Sequence, residues 1–369
     1  MKWRQASHRL AVALAGVCLL LGAACAGGAA PPAPGPSGAA GGTPAQASAA
    51  APAAPTAPAA PTRLTFAYST TSSANSLVQL AQDQGIFRAN GLEVEMVHAP
   101  GNAGPAALFA GQAQLLISGC SEAISAIAAG ADLVYVLVNT NRLQYVLAGG
   151  PNVTSVAEIP GKRFGVSRFG TSSHLATKFI IKQLGLDPDR DVSYVQVGNT
   201  PERVSALLAG SIDGSVLTVE EGLIVGEMPG MRILVDMTKE NIPYCGNGWF
   251  MQREYARDNA EVIRRTARAT VEATARYKTQ KAEGVAAVVR FLGEDDPNRA
   301  ERIWEIRSQM FPAKPYPEPR GLQFVIDEAG QDDERVRRII TQQLIDDRFV
   351  RELDQNGFID SLYPGGVAP

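Results

Sequence analysis

Two short stretches place hydroxyl groups where an apolar run stops. Phe164–Ser173 reads FGVSRFGTSS, and Phe66–Ser73 reads FAYSTTSS. Their candidate ligand-binding side chains are Ser69, Thr70 and Ser72 in the first copy and Thr171, Ser172 and Ser173 in the second. Hydroxyls rotate to donate where needed. The N–H groups of a following helix start lack intrahelical partners and carry partial positive charge. Together they suit an oxyanion such as a sulfonate, carboxylate or phosphate. Helix N-capping explains either cluster alone; their recurrence is what favours a binding site.

Charged and aromatic candidates surround these tips. Arg168 lies between strand end and helix start, and Arg142 follows a strand; either can grip an anion in a bidentate manner. Tyr68, Phe169 and Tyr244 offer apolar walls, while Trp249 fits core packing better. Gly119, Ser121 and Thr218 stand just beyond the third strand of each copy, beside Glu122 and the pair Glu220/Glu221. First-turn acids suit a helix dipole. Pointing inward, they would instead read an amine or pyrimidine donor, and a zwitterion would use both signs. The sequence leaves that choice open.

Catalytic patterns are thin. Gly165–Gly170 spaces its residues as GxSxxG, which is not the nucleophile elbow. His98 and His174 have no orienting partner in view, and no HExxH, P-loop or paired-cysteine metal set occurs. The expectation is a non-enzyme without cofactor or metal. Beyond the leader and Cys25, only Cys120 and Cys245 remain; they are read as two buried free thiols, with a disulfide as the alternative.

Positioning these residues requires a particular set of elements, and an internal repeat supplies it. Ala107-Leu-Phe-Ala-Gly111 matches Ala206-Leu-Leu-Ala-Gly210, and Glu122 falls opposite Glu221 at the same spacing. Each copy (Leu64–Ile124; Arg163–Leu223) reads strand, Ser/Thr loop, helix, strand, short helix, strand, helix start. Strands alternating with helices imply parallel sheets, and two copies imply two α/β lobes. The first helices are expected near Asn75–Gln84 and Ser173–Leu184. Asp132–Val138 and Met231–Asp236 read as further strands, with crossings at Arg142–Leu147 and Ile242–Met251. Glu254–Gly293 reads as helical, and Arg335–Leu353 as one last amphipathic helix.

The N-terminus carries Lys2, Arg4 and Arg9, an apolar run from Leu10 to Leu21, and small residues before Cys25. This is the layout of an export signal, and the run falls short of the roughly 18 residues a spanning helix needs. Residues 26–62 are Ala, Pro, Gly, Ser, Thr and Gln without a charge, a composition expected to stay disordered as a tether. The net charge of −3 gives no case for nucleic acid.

Several motifs in order resemble a known family. They are Gly85-Ile-Phe87 with Asn90-Gly-Leu-Glu-Val-Glu95, Ile117-Ser-Gly119, Gly161-Lys162 before Phe164, Leu184-Gly-Leu186, Pro201-Glu202, and Asn356-Gly-Phe-Ile-Asp360. The chain is similar to the nitrate/sulfonate/taurine-type substrate-binding proteins of ABC importers, which include binders of pyrimidine precursors. Cys25 resembles a bacterial lipobox cysteine, with Gly22 where that motif usually has Leu. The resemblance implies a type II periplasmic-binding-protein fold, two α/β lobes joined by two crossing strands around a ligand cleft. It implies a lipoprotein signal at 1–25, the tether at 26–62, and a first lobe from 63–145 and 246–363. A second lobe at 146–245 and a tail at 364–369 complete it. It further implies lipid attachment at Cys25, an extracytoplasmic monomer, a small, anionic organic ligand and a membrane permease as partner. An extracellular sensor, or an enzyme built on the same scaffold, is the alternative.

Overall fold

The computed structural model describes residues 60–366. The leader, Cys25 and nearly all of the tether lie outside the described residues. Thr62, at the tether's end, is already the first residue of a strand.

Among the described residues, ten strands form two five-stranded sheets of identical plan. In the first, β1 (Thr62–Tyr68) pairs in parallel with β2 (Leu92–His98) and β3 (Leu115–Ser118). In the second, β6 (Lys162–Val166) pairs in parallel with β7 (Val192–Gln196) and β8 (Gly214–Leu217). Each sheet is completed by one antiparallel strand that belongs, along the chain, to the other half. β10 (Pro243–Gln252) lies between β3 and β4 (Leu133–Arg142), and β5 (Val146–Gly149) lies between β8 and β9 (Arg232–Asp236). The strand orders are therefore β2-β1-β3-β10-β4 and β7-β6-β8-β5-β9. The chain crosses between sheets twice, after β4 and after β9.

The pattern of each strand explains its place. β3 and β8 are buried at every position, as central strands covered on both faces must be. β2 and β7 sit at the edges and carry exposed Glu95 and Ser193. Helices α1 (Ser76–Asp83), α2 (Ile86–Ala89), α3 (Ala103–Phe109) and α4 (Cys120–Ala128) connect the first sheet. Helices α5 (Ser172–Gln183), α6 (Thr200–Leu208) and α7 (Val219–Glu227) connect the second.

The helical stretch from residue 253 is three helices, α8 (Arg253–Asp258), α9 (Ala260–Thr279) and α10 (Lys281–Leu292). They are followed by α11 (Pro297–Met310) and α12 (Pro319–Ala329). Pro sits in the first turn of both, where its missing N–H costs nothing. Trp249 is buried against Phe66, ring centroids 5.5 Å apart, and belongs to the core as expected.

The expected last helix over 335–353 does not form as one element. It is broken into α13 (Glu334–Arg337), α14 (Thr341–Leu344) and α15 (Arg348–Gln355), before α16 (Phe358–Ser361). Ile345 makes a parallel bridge to Tyr135 of β4, and the Asp346 N–H donates to the Tyr135 carbonyl. That pairing holds the chain extended where the periodicity alone asks for helix.

Cys120 and Cys245 form a disulfide, with Cα atoms 5.5 Å apart, rather than two free thiols. α4 and the start of β10 meet across 125 residues of sequence, a contact that no local pattern announces.

Candidate functional site

The site grows from the carboxyl ends of the parallel strands, where open α/β sheets bind ligands. A cavity of about 520 Å³ lies there, within the usual size of small-molecule sites. Both repeats contribute: Ser69, Thr70, Ser72, Gly119 and Glu122 from the first, and Arg168, Thr171, Ser172, Ser173, Thr218 and Glu221 from the second. A depression of about 1020 Å³ beside Arg63, Glu93 and Gln112 is walled by first-repeat residues together with Arg290 and Phe291 of α10.

The two hydroxyl clusters have different jobs. The Ser69 hydroxyl is buried, lines the cavity and has no hydrogen-bond partner among the described residues. Thr70 is exposed beside it. At the second tip the hydroxyls mostly satisfy one another. Ser167 Oγ lies 2.8 Å from Thr171 Oγ1 and 2.9 Å from Ser173 Oγ, and Thr171 Oγ1 donates to the Arg168 carbonyl at 2.6 Å. Thr171 and Ser173 thus shape the loop as much as they face the cavity.

Ser172 reaches across to the first repeat. Its hydroxyl lies 2.6 Å from that of Ser121 and donates to Glu122 Oε2 at 3.1 Å. A second bridge stands beside it. The Ser73 N–H and hydroxyl donate to the Glu220 carboxylate at 2.9 and 2.6 Å. Arg307, fully buried on α11, donates to Glu220 at 3.2 Å, to Ser73 Oγ at 2.6 Å and to Ser72 Oγ at 3.1 Å, and also to Gln144. One guanidinium therefore ties a first-repeat loop, the first crossing segment and the second-repeat helix α7.

The acids differ in state. Burial pushes the Glu220 carboxyl up, but Arg307 and the Ser73 bonds outweigh it and hold it below the usual range. Glu221 has no such partner. Burial and the neighbouring Glu220 charge push it up to about 8. Burial likewise raises Glu122, against hydrogen bonds from Ser121 and Ser172 that pull it down. Glu122 and Glu221 are first-turn residues of α4 and α7, as the repeat requires.

The two cations at the cavity are also unequal. Arg203 is buried on α6 and spends its donors inside its own sheet's elements, on Ser215, Gly198, Thr200 and Val216. Arg168 is exposed at the rim, its guanidinium lying against Gly101 of the opposite half. Gly101 has a φ of 60°, and a Cβ there would collide with that guanidinium.

Three expected contacts are not at the cavity wall. Arg142 ends β4, and its guanidinium donates to the Gln309 carbonyl at 2.6 Å, away from the cleft. Tyr244 is wholly buried, its ring packed against Tyr145 and Phe324, because β10 continues through it into the core. Ser121 acts through Ser172 and Glu122. Phe169 is exposed and turned to His174. Sequence reasoning did not find Arg307, Gln144, Arg203 or Gly101. A signal for Arg307 existed: the buried positions of α11 are Ala300, Ile303, Arg307 and Met310, an arginine set within an apolar stripe. Among the described residues, no cluster of His, Cys, Asp or Glu is placed to hold a metal ion, and no helix is long and apolar enough to cross a membrane.

Comparison with known proteins agrees with this architecture. No curated protein matches the chain by sequence. Solved structures do match. The periplasmic aliphatic sulphonate binding protein SsuA from Escherichia coli aligns at TM-score 0.61 and 22% identity, over 77% of this chain and 92% of that one. The alkanesulfonate-binding protein SsuA from Xanthomonas axonopodis pv. citri, bound to MOPS, aligns at 0.59 and 20%, over 78% and 95%. The periplasmic nitrate-binding protein NrtA from Synechocystis PCC 6803 aligns at 0.67 and 12%, over 83% and 92%. At these identities the likeness establishes the fold, the two-lobed periplasmic-binding-protein architecture with two crossings. A family model described as NMT1/THI5 like matches residues 75–282, more than half of the sequence, and the chain belongs to that family.

Proposed function

We propose that the chain is an extracytoplasmic solute-binding protein of an ABC importer. It captures a small organic solute between two lobes and presents the closed form to a membrane permease. The lobes are 63–145 with 246–363, and 146–245. The observation that carries this reading is a cavity walled by both repeats, with the unpartnered Ser69 hydroxyl on one side and Arg168 and Thr218 on the other. Ligand contacts supplied by both halves make affinity depend on closure, so binding shifts an open–closed population. An acid group on the solute would sit at the hydroxyl-lined tips within reach of Arg168.

The same reading takes Cys25 as the lipid attachment point, residues 26–62 as a tether and the folded body as a monomer. His174 is held inside the second repeat, where it accepts from the Gly170 N–H through Nδ1 and its ring packs against Tyr194. This reading takes capture without turnover as the activity. A thermal-shift screen across sulfonates, carboxylates, nitrate and nitrogen bases tests it. Stabilisation by a solute that is recovered unchanged supports the reading; chemical conversion of the stabilising solute refutes it.

A further inference from the structure

The balance of charge inside the cavity selects among solutes. Three acids and two arginines line it: Glu122, Glu202 and Glu221 against Arg168 and Arg203. Arg203 is consumed by four acceptors on its own half. Glu220, the nearest other acid, is neutralised by Arg307. Only Arg168 remains to meet an anion, and it stands exposed at the rim. Glu122 and Glu221 lie deeper, one from each repeat, and among the described residues neither has a cationic partner within ion-pair distance. Their hydrogen bonds come from hydroxyls: Ser121 and Ser172 for Glu122, and Thr218 for Glu221.

An independent feature points to an absent partner. Ser69 Oγ is 97% buried by residue, lines the same cavity, and neither donates nor accepts among the described residues. A buried hydroxyl left without a bond loses its hydration with nothing in return. Two carboxylates with spare lone pairs and one idle hydroxyl make a site that receives N–H donors.

We propose that the solute carries a basic nitrogen group (an amine, amidine or guanidine) whose N–H bonds are accepted by Glu122 from one lobe and Glu221 from the other. The reading rests on the solute-binding function proposed above and adds the chemistry of the solute. Because the acids sit on opposite lobes, the nitrogen group joins them, and its positive charge favours the ionised form of both. A simple oxoanion brings no N–H for the pair to accept, so it is a poor ligand even though the fold is shared with sulfonate and nitrate binders.

The test is calorimetric titration of the intact folded chain with propylamine, propane-1,3-diamine, acetamidine and guanidine in one arm, and ethanesulfonate and nitrate in the other. The variants Glu122→Gln and Glu221→Gln are titrated alongside, with thermal melting of each without ligand. The expected result is binding in the nitrogen arm only, weakened more than tenfold by either variant, with unliganded melting no lower than wild type. Melting that holds while affinity falls separates a lost contact from a lost fold. Tighter binding of ethanesulfonate or nitrate than of any nitrogen base, strengthened by the variants, overturns the proposal and leaves the receptor function standing. Binding in neither arm overturns the receptor reading, and this proposal with it.

Discussion

Replacing Arg307 by methionine should be the most damaging single change near the cleft that touches no solute. The guanidinium is fully buried, and Glu220 is 5% exposed. Methionine keeps much of the length and apolar stem, so the change mainly removes charge and donors. Glu220 would then be left in the interior with only Ser73 to satisfy it, beside a second acid, Glu221. Breaking a buried pair from one side costs about 3–5 kcal/mol, because the other charge stays behind. An exposed pair such as Arg63–Glu93 is worth about 0–1 kcal/mol. The assay is urea unfolding followed together by far-ultraviolet dichroism and tryptophan fluorescence, on wild type, Arg307→Met, Glu220→Gln and the double variant. The account expects Glu220→Gln to recover most of the loss caused by Arg307→Met, giving a coupling of about 2 kcal/mol or more. A loss under about 1 kcal/mol for Arg307→Met, or strictly additive changes, would refute the bridge as a held charge pair.

Further expectations come from the same geometry. Glu221 is raised in the folded state to about 8, so its contribution to stability is complete at low pH and is lost as pH climbs from the ordinary carboxyl range through about 8. Unliganded wild type should therefore lose melting temperature relative to Glu221→Gln across that window; a gain would contradict the sign. The disulfide closes a loop spanning 125 residues, so Cys120→Ala/Cys245→Ala should lower stability by up to about 4–5 kcal/mol in the chain-entropy view, and equal melting with and without reductant would count against it. Arg168→Ala should weaken an acid-bearing solute more than tenfold in calorimetry, and an unchanged affinity removes it from the site. Ser69→Ala should weaken the solute without lowering unliganded stability, since the hydroxyl has no protein partner to lose; a destabilised variant with normal affinity would reverse that assignment.

Much of the architecture was legible because it is local and repeated. The Ala-Gly helix ends, the Ser/Thr tips and the two first-turn acids recur at matched spacing, and each half folds to the same strand order. What escaped is what depends on distant contacts. Arg307 reaches Ser73 across 234 residues, and nothing near either of them in the chain names the other. Cys120 and Cys245 meet only because α4 and β10 pack together. Arg142 is the last residue of β4 rather than following it, and β4 carries it past the cleft toward the end of α11. The C-terminal helix pattern yielded to a bridge at Ile345, where pairing to β4 outweighs propensity. The hydroxyls at the second tip show the subtlest gap: composition marks them as donors, while the loop uses several of them to hold itself.

The most direct test of closure around the cavity is a distance measurement between spin labels at Glu95→Cys on β2 and Ser193→Cys on β7, exposed edge-strand positions of the two sheets. Adding the tightest solute from the screen should shorten and narrow the distance distribution, and Ser69→Ala in the same background should require more solute for the same change. A distribution identical with and without saturating solute would contradict the claim that both halves grip one guest.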